Sequence, residues 1–74
     1  MFESLVGRRF ATLKELKEAA QKLTNYKITT CINLGKPDLE GIDNEILIEF
    51  ANEQQITFWY LKDNANNYYI TEVQ

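Results

Sequence analysis

The stretch Glu45-Ile-Leu-Ile-Glu-Phe-Ala-Asn-Glu-Gln-Gln-Ile-Thr-Phe-Trp-Tyr-Leu61 decides the fold. Its first part, residues 45–51, alternates: Ile46, Ile48 and Phe50 share one side, while Leu47 and Ala51 lie among Glu45, Glu49 and Glu53 on the other. A period of two carried by β-branched and aromatic residues predicts a strand buried on one face. Residues 56–61 predict a second strand, joined to the first through 52–55 as a hairpin. This strand is apolar on both sides, with Ile56, Phe58 and Tyr60 set against Trp59 and Leu61. Loop length selects the set that joins the core, because a slip of one residue turns every side chain over. A four-residue loop opposes Ile48 to Trp59 and leaves Phe58 and Tyr60 outside. A loop of three or five residues puts Trp59 and Leu61 outside instead. Either way, two large apolar side chains emerge beside Leu47 on the second face.

Outward from this hairpin the pattern continues. Residues 63–67, Asp-Asn-Ala-Asn-Asn, form a turn, and 68–73 a last strand that adds Tyr68 or Tyr69 to the second face. Upstream, 28–34 is β-branched and alternating, a strand ended by Gly35-Lys36-Pro37. Residues 38–43 are an acidic, turn-rich connection with room for one helical turn at 37–40. Before the strands, 12–24 predicts a helix: Thr12 followed by Glu15 fits a capping box. Leu13, Leu16, Ala19, Ala20 and Leu23 fall within about 120° of arc at helical spacing, an apolar stripe. Residues 1–11 offer Phe2, Leu5, Val6 and Phe10 for packing, interrupted by Gly7.

The expectation is an α+β domain spanning 1–74, with one N-terminal amphipathic helix on one face of a four-stranded, mainly antiparallel sheet (α-β-β-β-β). A single helix of this size covers one sheet face. The other face lacks a cover unless residues 1–11 wrap across it.

The 74 residues carry a net charge of −3 that hides a division. Residues 1–37 hold seven Lys/Arg against three Asp/Glu, and residues 38–74 hold one Lys against eight acids, so +4 is joined to −7. So short a chain has a thin core. With one cysteine and no histidine, neither an intrachain disulfide nor a structural zinc site supports it, which leaves self-association. The start Met-Phe-Glu-Ser-Leu-Val-Gly lacks the basic region of a signal peptide, and no apolar run reaches membrane-span length. A cytoplasmic protein, not bound to a membrane, is expected.

Chemistry is sparse. Without histidine the usual acid–base and nucleophile pairs are closed, so no enzyme, catalytic residue, cofactor or small-molecule substrate is inferred. Asp38, Glu40, Asp43 and Glu45 cluster, but their spacing fits no calcium loop, and a solvated acidic turn is expected in place of a metal site. Cys31 reads as a small buried hydrophobe. The uncovered face carries the leading expectation: protein binding, to a partner or in a homodimer, through Leu47, Trp59, Tyr60, Leu61 and Tyr69. The alternative is nucleic-acid binding, with phosphate held by Arg8, Arg9 and Lys17, since Glu18 offsets Lys14 and Lys22 at helical spacing. Aromatic stacking of bases is disfavoured because the aromatic strands lie in the acidic half. In general style the chain resembles small proteins of bacteria and their phages: seven Ile, seven Asn and six Lys against two Arg hint at an AT-rich gene.

Overall fold

Thr12 begins the helix as the sequence predicts. Its hydroxyl accepts from the Glu15 N–H at 3.2 Å, and the Glu15 carboxylate reaches back to the Ala11 N–H at 2.9 Å. The structure, a computed structural model, describes residues 1–35 and 44–74. The capped helix, α1 (Leu13–Gln21), is shorter than the predicted 12–24, and its chain leaves through a turn. Leu16 and Ala20 are buried, with Leu13, Ala19 and Leu23 packed at the margin, so the whole predicted stripe faces the core. Gln21 holds the exit: its amide donates to the Tyr26 carbonyl and accepts from the Ile28 N–H at 2.8 Å.

Among the described residues the sheet has five strands where four were expected: β1 (Arg9–Phe10), β2 (Ile28–Gly35), β3 (Asn44–Phe50), β4 (Gln55–Lys62) and β5 (Tyr68–Val73). All pairs are antiparallel, in the order β1-β5-β4-β3-β2. The extra strand comes from the lead-in, so the helix follows a strand. Two residues are too few to show alternation, and β1 exists because Arg9 and Phe10 pair with Tyr69 and Tyr68. Before it, Phe2–Leu5 is a 3-10 helix. Phe2 stacks on Phe50 at 5.6 Å and meets Phe58 edge-on at 6.4 Å. The lead-in therefore lies on the same sheet face as α1 and does not wrap to the other.

The β3–β4 hairpin takes the short-loop register. Phe50 N–H donates to the Gln54 carbonyl at 2.8 Å, closing a loop of residues 51–53, with Glu53 left-handed at φ 70°. A type I turn followed by a left-handed residue is the usual three-residue hairpin loop. Ile46 then opposes Phe58 and Ile48 opposes Ile56. The core is built from Ile46, Ile48, Phe50, Ile56, Phe58, Tyr60 and Ile70, with Phe2, Leu5, Phe10, Leu16 and Ala20 above them. Trp59 and Leu61 point away from it.

A bulge at Thr71 corrects the last strand. Trp59 pairs with Glu72 but Tyr60 with Ile70, so one extra residue sits in β5. Ile70 and Val73, three positions apart, consequently both face the core, and Tyr69 falls on the outer face opposite Leu61.

Candidate functional site

The outer face of the sheet is the candidate site. Strand alternation and register assign it Ile32 from β2, Leu47 from β3, Trp59 and Leu61 from β4, and Tyr69 from β5, while Leu34 is the extra residue of an irregularity between Asn33 and Gly35. Leu34, Leu61 and Ile32 are 54%, 46% and 44% exposed, and Leu47, Trp59 and Tyr69 are half-buried by their neighbours. The sequence signal for Ile32 was present, since 28–34 alternates, but only its pairing with Leu47 puts it on this face.

Tyr60 corrects the predicted set. It is 4% exposed and lies on the helix side, because the 51–53 loop turns the even-numbered residues of β4 inward. Its ring meets Tyr68 edge-on at 4.9 Å, so it belongs to the core.

Acids stud the apolar face. Trp59 Nε1–H donates to Glu45 Oε1 at 3.3 Å, and the Gln55 amide donates to Glu49 Oε2 at 2.6 Å. Glu72 stands opposite Trp59 on β5. One cation answers them at the β1 side: the Arg9 guanidinium lies 4.5 Å from the Tyr69 ring centre, with its Nε 3.2 Å from Asp63 Oδ2. This is an aromatic and aliphatic centre carrying negative side chains, a surface complementary to a partner with an apolar centre and cations around it.

Of the predicted phosphate ligands, Arg8 and Arg9 line one cleft and Lys17 stands apart from it. Arg9 is on the outer face, in the ion pair with Asp63. Arg8 sits over the Phe10 ring at 4.9 Å and lines, with Arg9 and Lys22, a cleft of about 490 Å³ that also holds Glu15 and Glu18. Lys17 lines a separate groove between α1 and Ile28. Glu15 and Glu18 offset part of the positive charge that Arg8, Arg9 and Lys22 bring to this cleft.

Asp38, Glu40 and Asp43 of the predicted acidic turn, and the helical turn at 37–40, lie outside the described residues. Among the described residues no group of three or more Cys, Asp or Glu side chains is placed to hold a metal ion, and no helix is long and apolar enough to cross a membrane. Burial pushes the half-buried Cys31 thiol above its usual pKa, with Lys17 partly opposing the rise, and a raised thiol is a poor nucleophile. Comparison with known proteins adds no assignment: no protein-family model, curated sequence or solved structure matches this chain.

Proposed function

We propose that this chain is a non-catalytic binding domain whose outer sheet face docks a protein with an apolar centre and a basic rim. One observation carries the reading. Both described helical segments pack on the inner face, while Ile32 and Leu61 stand exposed beside half-buried Leu47 and Trp59 on the outer one. Contiguous exposed apolar surface of this kind marks contact sites more often than bare monomer surface. The chemistry of the partner follows from Glu45, Glu49 and Glu72, which disfavour acidic surfaces and reward cations.

The test is capture from a lysate of the native host on immobilised wild-type protein, Trp59→Ala, Leu61→Glu and Lys17→Glu. Support is a protein retained by wild type and Lys17→Glu, lost with both outer-face variants, and released as ionic strength rises. Equal capture by all four chains, or none by any, ends the reading.

A further inference from the structure

Hydrogen-bond alternation fixes which backbone groups of β2 face the sheet. Phe50 N–H bonds to β4, while Ala51 N–H donates to the Lys27 carbonyl at 2.8 Å, so the odd-numbered residues of β3 bond toward β2. Thr30 and Ile32, opposite Glu49 and Leu47, therefore spend their N–H and C=O on β3. Cys31 and Asn33 turn theirs outward. Among the described residues β2 is the end strand of the sheet, eight residues long, and Ile28–Gly35 contains no Lys, Arg, Asp or Glu. Such edges are normally blunted by charge, proline, brevity, a bulge or a cover. The irregularities of β2 lie toward its ends, between Ile28 and Thr30 and between Asn33 and Gly35, and leave 30–33 as a regular edge. The opposite edge shows this management: β1 pairs with Tyr68 and Tyr69, Gly7 and Arg8 bond to Ile70, and the bulge follows.

We propose that β2 is a self-association edge, pairing antiparallel with β2 of a second copy about a two-fold axis at Ile32. The register follows from the alternation. Centring on Ile32 sets Cys31 and Asn33 opposite the second copy's Asn33 and Cys31, so all their outward N–H and C=O groups are used in four bonds. Centring on Cys31 would bring Asn33 against Thr29, in the irregular segment between Ile28 and Thr30, whereas the Ile32 axis draws all four bonds from Cys31 and Asn33, which still hold regular register with β3. With the Ile32 axis, the two Ile32 side chains meet as a non-hydrogen-bonded pair with Cα atoms about 4.5 Å apart. Ile32, exposed in the single chain, is thereby covered. The result is a ten-stranded sheet whose two outer faces run together. This pairing is independent of the docking reading above.

Because only a few residues pair, association is weak, and sedimentation or light scattering should span about 10 μM to 1 mM. The expected result is a mass rising from 8.7 kDa toward twice that. Cys31→Pro deletes an N–H that serves only the seam. Ile32→Lys and Ile32→Glu each set like charges face to face. All three should keep the far-UV spectrum and raise the dissociation constant at least about tenfold. An equimolar mixture of Ile32→Lys and Ile32→Glu chains should associate again, and Trp59→Ala should associate as wild type does. The proposal is overturned if wild type stays at the single-chain mass throughout. It is overturned equally by association that survives the Ile32 variants, by a mixture that does not re-associate, or by dependence on Trp59, which would assign contact to the outer face instead.

Discussion

The Tyr60 hydroxyl donates to Asn33 Oδ1 at 3.0 Å, linking β4 to the edge strand across β3. The same oxygen accepts from the Gly35 N–H at 3.0 Å, so one amide satisfies a core phenol and shapes the end of β2. A buried hydroxyl without a partner is costly, which is why this phenol and this amide belong together. Tyr60→Phe removes one bond and leaves the other, so it should lower stability by about 1 kcal/mol. For a domain this small that is a fall in Tm of about 4–8 °C. Asn33→Ala should cost more, since it strands the phenol as well. Thermal melts of the two variants check the order.

Thr12→Ala removes the acceptor for the Glu15 N–H. The expected loss is about 1 kcal/mol. Thr12→Ser should retain nearly all of the stability, and chemical denaturation distinguishes the three chains. An alanine variant as stable as wild type would show that packing of Leu16 and Ala20 alone holds the helix start.

Glu53 adopts φ 70° at the end of the 51–53 loop. A side chain there costs about 1–2 kcal/mol, partly offset in a glycine variant by the greater entropy of its unfolded chain. Glu53→Gly should therefore stabilise the protein, by about 0.5–1 kcal/mol. Glu53→Val should destabilise it, and opposite shifts in Tm are the readout.

Asp63 organises the 63–67 turn. Its carboxylate accepts from the Asn67 and Ala65 N–H groups, each at 2.9 Å, and from the Asn67 amide at 3.2 Å. These bonds, the Asn67 N–H foremost, with the nearby Arg9 guanidinium, hold its carboxyl below the usual aspartate range against a smaller opposing effect of burial. A folded-state value below the unfolded one adds stability above the ordinary aspartate pKa, and that stability is lost as pH falls through the folded value. Asp63→Ala should thus be less stable than wild type at pH 7, with the gap narrowing as the melts are taken to acid pH. A gap that stays constant would assign the loss to shape alone.

Both strands of the central hairpin were legible in the sequence to within a residue at each end, because Ile46, Ile48, Phe50, Ile56 and Phe58 carry an unbroken period of two. What the pattern did not carry was the face of β4. That face rests on Glu53 being left-handed, and a glutamate gives no such signal where a glycine or asparagine would. Tyr60 was drawn into the outer set for this reason. β5 raises the same difficulty, since Ile70 and Val73 share a face only through the bulge. Leu47, Trp59, Leu61 and Tyr69 were legible as candidates for the outer face. Ile32 was not, because its face depends on pairing with β3. Arg8 and Arg9, adjacent in sequence, line one cleft, while Lys17 does not, because the part of α1 that carries it borders Ile28.

The double grip of Gln21 on Tyr26 and Ile28 makes the 22–27 connection a buckle. The Ile28 amide stands on an edge strand, where solvent would ordinarily exchange its hydrogen quickly. Here it is tied to the last turn of α1, so its exchange should follow fraying of that turn instead of breathing of the sheet. The first event in opening this molecule from the β2 side is then the release of one glutamine side chain, which loosens helix and edge together.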